Sequence, residues 1–478
     1  MAKALKAQGV EYVFTLCGDH IAPIYEGCLD EGIRLIDFRH EQAAGHAADG
    51  WARVTGRPGV ALATAGPGVT DLVTAVANAN IAPSPMVLIG GRSPMAEWGK
   101  GSRQELNHVS FLRPLTRWAA TVLETGRIPE YIATAFREAQ GPRPGPAFVE
   151  IPEDVLLGEA DLPFALHPDR PGVTGGGDPD QVGAAVTLLA QAQRPVALSG
   201  SGVWWDQAAP ALQAFLEKAR VPAFFNGMGR GALPADHDLF FALCRSHAFR
   251  RADVALVIGT PLDFRLGFGQ AFPPEVRLIQ LDADPAALGH NRAPRVGLCG
   301  KLSLLLGQLA EATPAAERNG WVEELRAEEN RLYRRDEPLL NSESVPIHPM
   351  RLLKEIRDLL PRAAIVIGDG GDIVTFAARV LSVYGPGRWL DPGPFGCLGV
   401  GTGFAIAAKL ARPQDPVLLL SGDGSFGFNG LEFDTMVRHS LNVVAVIGNN
   451  GAWGSMKHPH LKRYGRAAAM DLRQGARY

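Results

Sequence analysis

The stretch PVLLLSGDG, residues 416–424, decides the fold of its part of the chain. Its near-continuous Val/Leu run is typical of a strand buried on both faces, and it leads directly into Gly422-Asp423-Gly424-Ser425. A helix-forming stretch, LEFDTMVRHS, follows, and a second apolar run, NVVAVIG, ends in Asn449-Asn450. This order predicts a parallel sheet whose carboxyl edge carries Asp423 beside Asn450.

Oxygen ligands are expected to converge at this edge. The carboxylate of Asp423 and the side-chain amide of Asn450 are hard ligands, and the backbone carbonyl of Ala452 can add a third. Such a partial shell suits Mg²⁺, which completes its octahedron with water and phosphate oxygens. Gly422, Gly424 and Ser425 open a helix, and a helix N-terminus favours a phosphate. The alternative is that GDG is only a strand-to-helix turn.

The same alternation of strand-like and helical segments fills the rest of the chain. EYVFTL, IRLIDF, GVALAT and PMVLIGG lie in the first part, PVALSG, ADVALVIG and VRLIQLD in the second, and AAIVIGD in the third. Two linkers divide the chain: 163–180 is rich in Pro and Gly without periodicity, and 314–346 opens with the charged helical pattern WVEELRAEENRLYRR. The prediction is an α/β protein of three doubly wound parallel-sheet domains, 1–160, 181–312 and 345–478, with the first and third topologically alike.

Composition excludes several classes of protein. The net charge is −3, hydrophobic residues make up 46% and charged residues 20%. We therefore expect neither a nucleic-acid nor a membrane partner. The five cysteines show no metal-binding or disulfide spacing, and the start, MAKALKAQGVEYVF, lacks the pattern of a signal peptide. A cytoplasmic enzyme is expected.

The distance of 27 residues from Asp423 to Asn450 resembles the cofactor motif of the thiamine-diphosphate enzymes. These include acetolactate synthase, benzaldehyde lyase, oxalyl-CoA decarboxylase and 2-hydroxyacyl-CoA lyase. The resemblance covers essentially the whole chain, in the order pyrimidine-binding, central and diphosphate-binding domain. It implies thiamine diphosphate and Mg²⁺, and a homodimer or homotetramer with active sites between subunits. It also implies that the third domain is C-terminally incomplete.

Glu41 is the candidate for the acid that activates this cofactor. It lies in IRLIDFRHEQAAGHAADG, just after an apparent strand and at the start of an Ala-rich helix. The segment resembles the family's strand–RHE–helix pattern, which implies that Glu41 hydrogen-bonds the pyrimidine ring. A carboxyl buried against that ring would have a raised pKa. Alone, Glu41 could equally be an ordinary first-turn glutamate. However, Thr64, Gly66 and Asn78 match the family's next pyrimidine-domain motif.

The resemblance assigns further cofactor contacts in the third domain. Leu398 corresponds to a bulky apolar residue that presses the cofactor into a V shape, and the carbonyl of Gly396 would accept a hydrogen bond from the exocyclic nitrogen. Asp369 and Gly370 lie where a neighbouring loop touches the diphosphate. The alternative is that these are core or turn residues.

Residues over the reactive carbon should select the substrate. His20 and Gln104 correspond to a histidine and a glutamine in the active sites of benzaldehyde lyase and of one branch of 2-hydroxyacyl-CoA lyase-like proteins. Together they could relay a proton to or from a hydroxyl. The alternative for His20 is a cap on the helix that follows it. His46 and His108 are interpreted as structural. Trp453, Met456 and Lys457 are further substrate-contact candidates.

Three segments, at 259–269, 368–380 and 388–410, resemble the 2-hydroxyacyl-CoA lyase branch most. The expected reaction is cleavage of a 2-hydroxyacyl-CoA to an aldehyde and formyl-CoA, or the reverse acyloin condensation. The alternatives are acetolactate synthase or a benzaldehyde-lyase-like carboligase acting on aldehydes or 2-keto acids, and a non-catalytic cofactor-binding homologue. FAD is not favoured. ADP or CoA near Arg265 of the central domain is a weaker hypothesis.

Overall fold

The computed structural model describes residues 1–161, 166 and 175–472. It contains three sheets flanked by helices, which confirms the predicted α/β architecture. The described residues form two compact units: one within 1–172, 365–374 and 390–478, the other within 173–364 and 375–389. Of the predicted linker at 163–180, residues 163–165 and 167–174 lie outside the described residues.

The first domain carries a six-stranded sheet. Its strands are Tyr12–Thr15 (β1), Arg34–Asp37 (β2), Gly59–Ala63 (β3), Met86–Arg92 (β4), Trp118–Thr121 (β5) and Pro146–Pro152 (β6). Its helices are Ala2–Ala7 (α1), Ala22–Asp30 (α2), Glu41–Thr55 (α3), Pro67–Asp71 (α4), Val73–Ile81 (α5), His108–Leu112 (α6), Ile128–Ala139 (α7) and Glu153–Leu156 (α8).

The central region carries a five-stranded sheet and seven α-helices, the last two of which follow the sheet's final helix in the chain. Its strands are Pro195–Ser199 (β7), Ala223–Phe225 (β8), Val254–Ile258 (β9), Arg277–Asp282 (β10) and Val296–Cys299 (β11). Its helices are Pro179–Ala190 (α9), Ser201–Trp205 (α10), Ala209–Ala219 (α11), Arg245–Arg251 (α12), Leu302–Ala312 (α13), Asn319–Leu340 (α14) and Pro349–Leu359 (α15). The long α14 occupies most of the predicted second linker.

The third domain carries a four-stranded sheet. Its strands are Ile365–Asp369 (β12), Trp389–Leu390 (β13), Val417–Gly422 (β14) and Val444–Gly448 (β15). Its helices are Asp372–Val380 (α16), Gly401–Ala411 (α17), Asp423–Asn429 (α18), Phe433–Arg438 (α19) and Gly454–Tyr464 (α20).

The three sheets share the order of their first four strands. The first runs β2-β1-β3-β4-β6-β5, the central one β8-β7-β9-β10-β11 when read from the opposite edge, and the third β13-β12-β14-β15. In each sheet the first strand of the domain lies between the second and the third. This is the doubly wound order in which ligands bind beyond the carboxyl ends of the strands. The predicted likeness of the first and third domains is thereby confirmed.

The first and third domains share a hydrophobic core in which Phe14 and Trp51 cluster with Phe404 and Leu419. Helices α3 and α17 approach closely because glycines face the partner backbone. A Cβ at Gly403 would lie 2.7 Å from the Ala43 carbonyl oxygen. Such a contact excludes any larger residue. The core therefore fixes α3, the helix that begins with Glu41.

Candidate active site

Glu41 is the first residue of α3, as predicted, and only 8% of it is exposed. The side chain of His40 caps the helix by accepting the backbone N–H of Gln42 over 3.0 Å. Burial raises the pKa of the Glu41 carboxyl, and the neighbouring Asp71 carboxylate acts in the same direction, opposing a backbone hydrogen bond. The position therefore favours a carboxyl that keeps its proton and can share it with a ligand.

Thr64 lies near Glu41, and His20 is hydrogen-bonded to Thr64. A Cβ at Gly68 would lie 2.9 Å from Thr64 Cγ2 and 3.5 Å from Glu41 Oε1, so glycine leaves the space between these side chains open. The His20 ring is buried, and its Nδ1 and Thr64 Oγ1 are hydrogen-bonded over 3.1 Å. The alternative prediction, that His20 caps the helix that follows it, was wrong: the N-cap residue of α2 is Ile21, and no described side chain caps this helix.

Gln104 packs against Gly66, two residues after Thr64. A Cβ at Gly66 would lie only 2.9 Å from Gln104 Cβ, and both residues have positive φ, 60° and 56°. A non-glycine residue in this region is strained and marks a constrained position. The structure thus gathers the predicted catalytic residues Glu41, His20 and Gln104 around residues 64–68. Their catalytic roles stay predictions.

Asn78 lies in a separate buried network. Its Nδ2 donates to Asp49 Oδ2 over 2.9 Å, and Asp49 forms an ion pair with Arg53. The Arg53 guanidinium also donates to the Asp391 carbonyl oxygen over 2.8 Å. Asn78 Oδ1 is buried without a hydrogen-bond partner among the described residues. These contacts make Asn78 part of the junction between the first and third domains, and its predicted cofactor contact stays a prediction.

In the third domain, the predicted metal ligands follow two neighbouring strands. Residues 422 and 448 are paired in β14 and β15, so Asp423 and Asn450 emerge at the same edge. Asp423 Oδ2 accepts the Gly451 N–H over 3.1 Å, and Asn450 Oδ1 accepts the Ala452 N–H over 3.0 Å. These two hydrogen bonds orient the Asp423 carboxylate and the Asn450 amide against the turn 449–452.

Asp369 ends β12 and supports the loop before α17. Its carboxylate accepts the N–H groups of Gly399 and Gly401 over 3.0 and 2.9 Å. Burial raises the pKa of Asp369, and the two backbone donors oppose this. Gly370, at φ 133°, lies against the Gly422 nitrogen, where a Cβ would approach to 3.2 Å. Asp369 therefore holds the loop, and its predicted contact with the diphosphate stays a prediction.

The loop that carries Gly396 and Leu398 is anchored on both sides. Cys397 is buried between them, with its Sγ 3.8 Å from His46 Nε2. Asn429 Nδ2 donates to the Gly399 carbonyl oxygen over 2.8 Å. Gly396 is exposed with φ 69°, and Leu398 is half-buried. Both predicted cofactor contacts thus lie on an exposed stretch with fixed ends.

The remaining substrate-contact candidates surround the start of α20. The Trp453 ring packs on Gly424, where a Cβ would lie 2.4 Å from the ring, and it meets Phe428 edge-on. Met456 is exposed. The Lys457 ammonium forms an ion pair with Asp471. Lys457 is therefore already neutralised by a protein carboxylate.

Arg265, the predicted nucleotide contact of the central domain, is also paired. Its guanidinium forms a forked ion pair with Asp263, with Nη2 2.6 Å from Oδ2. Asp263 also accepts the backbone N–H of Arg265. This geometry describes a self-contained turn, and ADP or CoA binding there stays a hypothesis.

Sequence reasoning missed a buried network behind residues 64–68. His108 Nδ1 lies 2.7 Å from Glu150 Oε2, and His108 Nε2 lies 2.9 Å from the Gly66 nitrogen. Both side chains are fully buried. The signal available in the sequence was Glu150 itself, since an acid inside the apolar run PAFVEIP requires a buried partner.

The third-domain edge fits a diphosphate and a divalent cation by its donor set. Asp423, Asn450 and the Ala452 carbonyl offer three oxygen atoms of the kind that Mg²⁺ prefers. Gly422 borders open space, because a Cβ built there meets no described atom within 4 Å. Helix α18 begins at Asp423, next to this opening. These residues would hold a metal-bound diphosphate, while Glu41 would hold a nitrogen heterocycle.

Comparison with known proteins gives the family. Models of the thiamine pyrophosphate enzymes match in three parts: the N-terminal TPP-binding domain over residues 1–111, the central domain over 182–309, and the C-terminal TPP-binding domain over 369–475.

Relatives match over the whole chain. A protein named probable acetolactate synthase, from Mycobacterium bovis, is 47% identical, covering 100% of this chain and 87% of the relative. Proteins named 2-hydroxyacyl-CoA lyase 2, from Bos taurus and Homo sapiens, are 36% and 35% identical, covering 99% of this chain and 81% of each relative. The chain therefore belongs to the thiamine-diphosphate-dependent enzymes, whose cofactor is also called thiamine pyrophosphate.

Proposed function

We propose that the chain is a 2-hydroxyacyl-CoA lyase, which cleaves its substrate to an aldehyde and formyl-CoA and also catalyses the reverse condensation. The observation that carries the proposal is the buried hydrogen bond between His20 and Thr64. Thr64 lies near Glu41, and Gln104 packs against Gly66 in the same loop as Thr64. An imidazole in this place can hold or accept the proton of a substrate hydroxyl.

Each residue has a role in this proposal. When bound, thiamine diphosphate supplies a nucleophilic carbon that attacks a carbonyl. Glu41 holds a proton at the pyrimidine ring, and burial raises the pKa of that carboxyl, which favours its protonated form. His20 accepts the proton of the 2-hydroxyl as the aldehyde leaves, and Gln104 orients that hydroxyl. Asp423 and Asn450 bind Mg²⁺ together with the diphosphate.

Acetolactate synthase is the second candidate. The observation that favours it is the 47% identity to the mycobacterial protein of that name, which exceeds the 36% identity to the bovine lyase. In that reaction the donor would be a 2-keto acid, and His20 would face a carboxylate or a second carbonyl. The two candidates therefore differ in the donor that the residues around His20 accept.

The proposed function also includes an oligomeric state. We infer a homodimer or homotetramer in which Glu41 of one subunit and Asp423 of another complete each active site. Support comes from the grouping of the site residues. Glu41, His20 and Gln104 form one cluster and Asp423 and Asn450 another, each built within its own domain.

A product assay distinguishes the candidates. Purified protein with thiamine diphosphate and Mg²⁺ is offered a 2-hydroxyacyl-CoA and, separately, pyruvate. Formyl-CoA and aldehyde in equal amounts from the first would support the lyase. Acetolactate from pyruvate, with no cleavage of the thioester, would overturn the lyase and support the synthase. Glu41→Gln serves as the blank, since it removes the proposed acid without changing size.

A further inference from the structure

His108 has no role in the reaction proposed above. His108 opens the short helix α6, and its ring is fully buried between Phe111 and Phe148, with centroids 6.2 and 6.5 Å away. Both ring nitrogens have partners on different elements. Buried ring nitrogens require hydrogen-bond partners, and here the two partners join β6 to the residue that initiates α4.

The partners determine which nitrogen carries the proton. The Gly66 backbone N–H can only donate, so His108 Nε2, 2.9 Å away, must accept. The proton therefore resides on Nδ1, which donates to Glu150 Oε2 over 2.7 Å. With its free electron pair taken by Gly66, this imidazole cannot act as a base toward a substrate.

The second carboxylate oxygen of Glu150 is also hydrogen-bonded. Its Oε1 accepts the Thr121 hydroxyl over 2.6 Å and the Arg92 guanidinium over 2.9 Å. Thr121 and Glu150 are directly paired between β5 and β6, so these contacts follow from the sheet register. The sheet thus fixes the carboxylate, the carboxylate fixes the imidazole, and the imidazole fixes the Gly66 N–H.

Gly66 is the residue whose position matters most for the site. It initiates α4 with φ 60°, precedes the Gly68 that separates Thr64 from Glu41, and packs directly on Gln104. The hydrogen bond from the Gly66 N–H to His108 Nε2, 2.9 Å long, restricts the backbone rotation that a glycine with positive φ would otherwise have.

We propose that His108 is a positioning residue of the active site, which acts through the Glu150–His108–Gly66 chain of hydrogen bonds to fix residues 64–68 and Gln104. It touches neither substrate nor cofactor. The inference rests on the proposed function only in that this segment borders the reacting groups. Loss of an orienting partner behind a functional group typically reduces activity about 10–100-fold.

The test compares two amides at position 108 in the full chain with thiamine diphosphate and Mg²⁺. His108→Asn can still donate to Glu150 but is too short to reach the Gly66 N–H, whereas His108→Gln can reach both. Phe111→Leu is the packing control, because it loosens the same ring without removing a hydrogen bond. The first readout is hydrogen–deuterium exchange of peptides covering residues 64–72 and 100–107, which needs no substrate.

In His108→Asn, we expect these two peptides to exchange at least about tenfold faster while central-domain peptides stay unchanged, and kcat to fall about 10–100-fold with little change in KM. His108→Gln should restore both values to near wild type. Equal protection of Gly66 in all variants, or a Phe111→Leu effect as large as that of His108→Asn, would overturn the proposal. If the wild type failed to cleave 2-hydroxyacyl-CoA, the proposed function would fail, and the exchange data would still decide the role of His108.

Discussion

The carboxylate of Asp423 accepts the backbone N–H of Gly451 over 3.1 Å. Asp423, which directly follows β14, is thereby joined to the turn after β15. The Asn450 side chain accepts a hydrogen bond from the Ala452 N–H in the same turn. The proposed metal ligands are consequently oriented by the protein itself. Such preorganisation makes the affinity of the site sensitive to each of its members.

Asp423→Asn should weaken binding of Mg²⁺ with thiamine diphosphate about 100-fold or more, because Asp423 is the charged member of the three proposed ligands. The Asn amide oxygen can still accept the Gly451 N–H, so the fold should persist. Calorimetric titration of the cofactor at several Mg²⁺ concentrations measures the effect. Asp415→Asn, the same charge change elsewhere in this domain, should bind normally. Equal affinity in the two variants would contradict the assigned ligand.

Gly454→Ala should disrupt the same site through sterics alone. Its Cβ would lie 2.1 Å from Asp372 Oδ2 and 2.7 Å from Asn450 Nδ2, so the ligand amide must move. We expect cofactor affinity to fall about tenfold or more. In the matched control, Gly427→Ala in α18, the new methyl meets no described atom within 4 Å. That variant should bind normally and gain about 0.5–1 kcal/mol in unfolding free energy. A normal Gly454→Ala protein would refute this geometry.

Glu41→Gln should lower kcat about 10²–10⁴-fold while increasing thermal stability at neutral pH. The pKa of Glu41 is raised by burial, so stability is lost as the pH rises through that pKa and an ionised carboxylate must stay buried. Glutamine carries no such penalty. The difference in melting temperature should vanish below pH 4.5, the ordinary pKa of this side chain. Exposed Glu138→Gln should change neither activity nor stability, and a less stable Glu41→Gln protein at neutral pH would oppose the argument.

His46 should make the protein sensitive to acid. Burial lowers its pKa from 6.5 to about 4, and Nδ1 lacks a hydrogen-bond partner among the described residues. A base with a depressed pKa stabilises the fold above its unfolded pKa, and this contribution is lost as the pH falls from 6.5 to about 4. Melting temperatures of His46→Gln should therefore decline less steeply over this interval than those of wild type. Exposed His290→Gln is the control, and parallel curves for all three proteins would contradict the prediction.

The sequence predicted the long apolar strands, but it did not reveal the short or mixed ones. Runs such as 416–422 are apolar throughout because both faces of the strand are covered. The prediction missed β5, β6, β8, β11 and β13. Of these, β6 begins and ends with proline and contains Glu150, features that normally argue against a central strand. Its acid is tolerated because Arg92, Thr121 and His108 satisfy it.

The candidate site was predictable where it depends on the ends of strands. Asp423 and Asn450 converge because parallel strands end at one edge. Side-chain pairs between distant segments were not predictable. His20 and Thr64 are 44 residues apart, and His108 and Gly66 are 42 apart. Neither spacing carries a periodic signal, so only the folded chain shows which partners each ring acquires.

Arg53 limits how this enzyme can be recombined with its relatives. Its guanidinium is buried, paired with Asp49, and completed by a carbonyl oxygen of the third domain. A chimaera that took its third domain from a relative would have to place the backbone carbonyl of position 391 within reach of Arg53 and keep a glycine at 403. Without them, an internal cation would lose a partner and two helices would collide. The two domains are therefore matched at this junction, and a chimaera that lacks either feature should be less stable than the parent protein.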